Sequence, residues 1–359
     1  MIKVFSIIII CFSSLSMVLI GSHKNSLSID KTNIDHKLRD SLDITDGPYI
    51  FINNDTLIAK NIVNGIVDAK ILKSQSIEFN FTPEPSVYNN ASKIAVLSDL
   101  HGQYNLTIDI LKVNEIIDEN LNWSFGNGHL VILGDVFDRG DEVTELLWFI
   151  FYLEKQAEIS GGKVHFLLGN HEYMTMRDDL RYMNKKYKYA AYLLKTPYNE
   201  LYGTQTLLGR WLRSKSTILI INDNLFVHAG ISNLFIDEGY DLEETNQFMR
   251  QSLFQNEKEN EKAWDSIYGK YYDDAGPIWY RGYFNPEYKK SEINRVLRKV
   301  DANHIIVGHT SFKQIESLFD KKVLAVDSSI KNGITGELLL IKDDNYYRCT
   351  LEGERIIID

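Results

Sequence analysis

Cysteine is nearly missing from this chain: its 359 residues include two, Cys11 and Cys349. Cys11 lies inside an apolar N-terminal run with Ile10 before it rather than a small residue, which argues against a lipoprotein anchor. If that run is removed, Cys349 stands alone and no internal disulfide can form, so stability must come from the core or from bound metal. Positive charge is also in deficit, with 39 Lys and Arg against 49 Asp and Glu and a formal net charge of -10. That balance excludes a chain that wraps nucleic acid by bulk electrostatics and leaves room only for a local cationic pocket. There is no internal repeat and no low-complexity tract. What remains is an ordinary globular composition, 44% hydrophobic and 25% charged, long enough for one large domain or two small ones.

The opening "MIKVFSIIIICFSSLSMVLIGS" places Lys3 ahead of an apolar run from Val4 to Gly21. Charge followed by an apolar stretch is the order of a secretory signal, so export to a periplasmic or secreted location is expected. Ser14-Leu15-Ser16 and Gly21-Ser22 are imperfect cleavage sites. An uncleaved anchor is therefore the alternative to removal of residues 1–21, and the one membrane association expected. Residues 22–45 read as a linker. Residues 46–90 alternate β-branched and polar residues around Asn53-Asn54-Asp55 and Asn64-Gly65, the pattern of an accessory β-unit with tight turns. Pro83 and Pro85 mark the entry to a main domain, 91–359.

Five segments of that domain share one grammar: "KIAVLSDLHG", "HLVILGDVFDRG", "KVHFLLGNHE", "NLFVHAG" and "HIIVGHT". Each is a short apolar run of the kind found in a buried strand, ending in polar residues with glycine close by. Helical patterns such as "LTIDILKVNEIIDEN" and "VTELLWFIFYLEKQAEI" separate the early runs, giving an α/β alternation. The second half is richer in hairpins, which suggests a second sheet packed on the first. In open α/β sheets ligands gather beyond the carboxyl ends of the strands, where the polar tails would converge.

Those tails carry metal-ligand chemistry. Asp99 and His101 sit two apart, a spacing that turns both side chains the same way in an extended chain. Asp135, Asn170, His228 and His309 end the other four runs. Carboxylates, an amide oxygen and imidazoles suit Mn, Fe or Zn better than Ca. Two such cations sharing one carboxylate can activate water and stabilise in-line displacement at phosphorus. The plainer reading of Asn170-His171-Glu172 is a helix start with Asn170 as N-cap. His23, His36, His129, His165 and His304 read as structural histidines, because they do not close an apolar run in a glycine-containing turn.

In this order, "SDLHG", "GDVFDRG", "GNHE", "HAG", Arg281-Gly282 and "GHT" resemble the calcineurin-like metallophosphoesterases, specifically the phosphoprotein phosphatases. "GPIWYRGY" and the "GHT" ending most resemble their Shewanella-like branch. The resemblance implies an α/β fold of two packed mixed β-sheets, a β-sandwich flanked by helices. It implies one metal on Asp99, His101 and Asp135 and a second on Asp135, Asn170, His228 and His309. It further implies His171 as general acid oriented by Asp138, with Arg139, Asn170 and Arg281 binding phosphate. Thr310 and Ser311 stand where many metallophosphoesterases have a further His, which fits this branch. "VDSSIKNG" lacks the active-site Tyr of the eukaryotic Ser/Thr enzymes, so their substrate preference does not transfer.

The expected activity is hydrolysis of phosphoprotein or phosphopeptide esters, including phosphotyrosine, by direct attack of a metal-bridging hydroxide. Hydrolysis of dinucleoside polyphosphates or other small phosphate esters is the alternative, and a non-catalytic metal-binding surface protein a distant third. The Tyr-rich segment 174–216 reads as a solvated helical insertion, or else as a lid in which Arg177, Arg181 or a nearby Tyr reads the group bearing the phosphate.

Overall fold

The computed structural model describes residues 43–54, 56–72, 78–254 and 269–359. The expected signal segment and almost all of the expected linker, with His23 and His36, lie outside the described residues. By internal contacts the chain divides into two units, Met1–Phe81 with Lys185–Trp211, and Thr82–Asn184 with Leu212–Asp359.

In the first unit, β1 (Asp46–Asn53), β2 (Thr56–Val63) and β3 (Ile66–Leu72) form an antiparallel sheet in that order. Period-two alternation buries Leu57 and Ala59 of β2, and Ile62 is buried out of that phase. Asn54 and Asn64 turn the chain at φ 50° and 49°, a conformation that asparagine tolerates well. The helix Lys185–Leu194 packs on β2 and β3 with Tyr187, Ala190 and Leu194 buried on one face. Part of the Tyr-rich segment thus folds with the accessory strands.

The second unit holds two six-stranded sheets. One runs β15 (Arg355–Ile357), β14 (Asn345–Cys349), β13 (Leu338–Lys342), β5 (Lys93–Leu97), β6 (His129–Ile132), β7 (Lys163–Phe166). The other runs β11 (Glu316–Leu318), β12 (Val323–Ala325), β10 (His304–Val307), β9 (Asn224–Val227), β8 (Ile218–Ile221), β4 (Val87–Tyr88). Both mix parallel and antiparallel pairs, and β8–β9 is a hairpin that turns at Asn222-Asp223. Alternate side chains from the two sheets meet in a shared core, including Ile94, Val96, Val131 and Leu133 from one and Leu219, Phe226, Ile306 and Leu324 from the other. Each such burial contributes on the order of 1.5–3 kcal/mol. The fold is therefore an α/β sandwich.

Register is what positions the site. Leu97 pairs with Ile132 and Ile132 with Phe166, so β5, β6 and β7 end level. α1 (Tyr104–Val113) and α2 (Val143–Ile159) follow β5 and β6. α2 covers β7 and buries Leu146, Leu147, Ile150 and Leu153. α3 (Asn170–Met176) follows β7.

Candidate active site

The strand ends continue into loops with the backbone in the left-handed region. Asp99, His101, Asp135, Asp138, Arg139 and His309 have φ of 55°, 43°, 57°, 71°, 66° and 63°. Such a conformation costs a non-glycine residue about 1–2 kcal/mol, and persists only where the surroundings over-determine it. Here the ladder of the parallel strands extends past their ends. Leu133 N donates to Leu97 O (2.9 Å), Asp99 N to Gly134 O (3.1 Å), His101 N to Asp135 O (2.8 Å) and Gly140 N to His101 O (3.0 Å). Gly134, at φ 86°, lies so near the Gly169 backbone that a Cβ would overlap it. That close approach brings the loops bearing Asp135 and Asn170 together.

One carboxylate oxygen is the centre of the site. Asp135 Oδ2 lies 3.3 Å from His228 Nε2, 3.7 Å from His101 Nε2 and 3.8 Å from His171 Nε2. Two groups of donor atoms converge on it, His101 with His171 and His228 with His309, all buried. Asn170 Oδ1 is 2.9 Å from His228 Nε2, and His309 Nδ1 is 3.2 Å from the same nitrogen. Asp99 Oδ1 stands 4.0 Å from His101 Nε2. The other Asp99 oxygen accepts from Ser98 Oγ (2.5 Å) and His309 N (2.8 Å), which fixes the carboxylate.

The histidines are oriented as ligands are. His101 Nδ1 donates to Phe137 O (2.7 Å) and His228 Nδ1 to Leu133 O (2.6 Å), so each presents Nε2 to the cluster. Buried His309 Nε2 has no hydrogen-bond partner. Burial holds the pKa of His101 down at about 3 and that of His309 at about 2, which leaves both neutral, the state a metal needs. Burial and then Asp327 push Asp99 upward. Burial opposes a charge on His228, but Asp135 outweighs it and lifts the pKa to about 9, so a cation would displace that proton. Buried carboxylates crowded together need positive charge between them, and this oxygen and nitrogen donor set fits divalent transition metals.

Beside the cluster, His171 Nδ1 lies 2.5 Å from Asp138 Oδ2. Burial alone would lower the His171 pKa, but Asp135 and Asp138 outweigh it and raise it. Arg139 Nε approaches His101 Nε2 at 3.3 Å. Arg281 Nη1 donates to His309 O (3.1 Å) and Thr310 Oγ1 (2.8 Å), so its guanidinium is held against the loop that bears His309.

Sequence reasoning missed Glu172. Gly169, not Asn170, holds the N-cap of α3, and Asn170 is its first residue. Fully buried Glu172 accepts from the backbone N–H groups of Asp135 (2.8 Å), Val136 (2.7 Å), Phe137 (3.3 Å) and Gly169 (2.7 Å). It clamps the Asp135 loop to the start of α3; the Glu of "GNHE" was the available signal, read only as a helix-start residue. The structural histidines behave as such: His129 Nδ1 and His165 Nε2 are 3.0 Å apart, and His304 Nδ1 donates to Lys321 O. Of the lid candidates, Arg177 lies over the Tyr272 ring (4.5 Å) and Arg181 pairs with Asp179 (2.8 Å). Tyr182 instead lies beside His171, ring centroids 5.2 Å apart.

A paired cluster of metal-ligating side chains around a shared carboxylate, with guanidinium groups and a histidine–aspartate dyad at its rim, defines a metal-dependent phosphoester hydrolase. Residues 92–311 match the calcineurin-like phosphoesterase family, and the chain belongs to it. It is a metal-dependent phosphatase, of a family that works with two divalent cations. Among solved structures it is similar to the cold-active protein-tyrosine phosphatase of a psychrophilic Shewanella species. The two are 38% identical with a TM-score of 0.83, covering 88% of this chain and all (100%) of that one. An uncharacterised protein of Schizosaccharomyces pombe is 29% identical over 259 residues, 69% of this chain and 76% of that one. The Shewanella-like protein phosphatase 1 of Plasmodium berghei is 30% identical over 234 residues, 61% of each chain.

Proposed function

We propose that the chain hydrolyses phosphate monoesters on proteins or peptides, with phosphotyrosine as the favoured residue. The observation that carries this is Asp135 Oδ2 lying between His101 Nε2 (3.7 Å) and His228 Nε2 (3.3 Å), with the His171–Asp138 dyad and Arg139 around it. The similar Shewanella enzyme, a protein-tyrosine phosphatase, supports the choice of ester.

Asp99, His101 and Asp135 would hold one cation, and Asp135, Asn170, His228 and His309 the other, with Mn, Fe or Zn suited to the donors. When bound, the pair would supply Lewis acidity that activates water and offsets charge on the phosphoryl oxygens. Arg139 and Arg281 bind the remaining phosphoryl oxygens, the planar guanidinium matching phosphate geometry. Water oxygen bonds to phosphorus as the bond to the ester oxygen breaks, and His171 Nε2 gives its proton to that departing oxygen. Asp138 holds the ring by Nδ1 and stabilises its charged form. The products are inorganic phosphate and the free hydroxyl of the peptide.

A substrate panel tests this: phosphotyrosine and phosphoserine peptides against diadenosine tetraphosphate and sugar phosphates. Phosphotyrosine peptide should give the highest kcat/KM, and preference for diadenosine tetraphosphate would overturn the reading. Single turnover in ¹⁸O-water should place label in phosphate and none in the protein.

Export is part of the proposal. It is supported by Lys3 followed by the apolar run Val4–Gly21. Fractionation of cells producing the full chain should recover it outside the cytoplasm, freed of residues 1–21.

A further inference from the structure

We propose that Tyr182 is the residue that selects an aromatic leaving group, forming the wall against which the ring of a phosphotyrosine lies. The proposal rests on the phosphopeptide reading above and adds the side chain that would decide between aryl and alkyl esters.

The argument starts from how Tyr182 is held. Its carbonyl accepts from Arg139 N (3.1 Å), and the Asn184 side chain donates to Arg139 O (2.7 Å). Residues 182 and 184 therefore clasp both polar groups of the Arg139 backbone, which itself stands at a strained φ of 66°. The backbone that carries the ring is thus tied to the proposed phosphate-binding arginine. Its centroid is 5.2 Å from that of His171 at an interplanar angle of 49°, and 5.3 Å from Arg139 Cζ. Arg181 Cζ lies 5.7 Å from the same ring.

The position matters because of what His171 does. A general acid must reach the departing oxygen, so the group attached to that oxygen lies next to His171. Tyr182 occupies that neighbourhood and is 43% exposed, whereas Tyr173, Tyr187, Tyr202 and Tyr283 are fully buried. In an aryl phosphate the aromatic ring begins one bond from the departing oxygen and can pack edge-to-face on the Tyr182 ring. A phosphoserine offers only a methylene there. Aromatic pairs of this kind strengthen an interaction by roughly 2- to 12-fold beyond simple burial.

The test compares kcat/KM for two peptides of identical sequence carrying phosphotyrosine or phosphoserine, in the metal-loaded full chain and in Tyr182→Ala, Tyr182→Leu and Tyr182→Phe. The phosphotyrosine-to-phosphoserine ratio should fall roughly 2- to 12-fold in Tyr182→Leu, at least as far in Tyr182→Ala, which also loses the apolar contact, and stay near the parent value in Tyr182→Phe, which keeps the ring. Equal losses on both peptides would show that Tyr182 merely supports Arg139 and His171, and would overturn the proposal. If the parent cleaves neither peptide, the phosphopeptide reading fails by itself. Phenyl phosphate against glycerol phosphate then decides the role of Tyr182 by the same ratio. Thermal unfolding of each variant shows that the comparison is between folded proteins.

Discussion

His171 Nδ1 and Asp138 Oδ2 are 2.5 Å apart in a buried dyad, so the His171 ring is bonded to the loop that also carries Arg139. In the proposed mechanism, proton delivery and phosphate binding are thereby built on one turn of chain, Asp138-Arg139. Asp138→Asn should lower kcat by about 10²- to 10⁴-fold while leaving metal content unchanged. The loss should shrink with p-nitrophenyl phosphate, whose leaving group departs without help from a proton. Steady-state kinetics with both kinds of ester checks this, and an equal loss on each would remove His171 from the role of acid.

Asp135 serves both donor groups, so Asp135→Asn should weaken both cations at once. Elemental analysis after dialysis should find well under half the metal of the parent, and kcat should drop at least about a hundredfold. Retention of one cation with nearly full activity would exclude the bridging position.

Glu172 accepts backbone N–H groups from residues 135, 136, 137 and 169 and touches no other described side chain of the ligand set by hydrogen bond. Glu172→Gln turns an N–H group toward N–H groups, so the variant should lose about 1–3 kcal/mol in urea unfolding. Because the clamp holds Asp135, metal affinity measured by titration calorimetry should fall as well.

Gly134→Ala meets two obstacles, a φ of 86° and the Gly169 backbone. Gly161, at φ 77°, has nothing within 4 Å of an added Cβ and provides the control. Gly161→Ala should cost about 1–2 kcal/mol, the conformational penalty alone. Gly134→Ala should cost more and reduce bound metal; equal costs in denaturant melts would show that the close approach is not what requires glycine there.

Much of this site was readable before folding, because its information is local. An apolar run specifies a buried strand, the glycine after it permits a sharp turn, and the polar residues that follow must then lie at a strand end. That logic located β5, β6, β7, β9 and β10 and the helix Val143–Ile159 to its ends, and it singled out Asp99, His101, Asp135, Asn170, His171, His228 and His309, which the fold gathers in one place. Tertiary structure alone decided which of these meet. Asp99 accepts from His309 N at 2.8 Å across 210 residues of sequence, an outcome of parallel pairing between distant strands and of two sheets packing face to face. The same holds for the Glu172 clamp, the placing of the Tyr182 ring beside His171, and the folding of the helix Lys185–Leu194 onto β2 and β3. These depend on register and loop closure, which bring together residues that no sequence period relates.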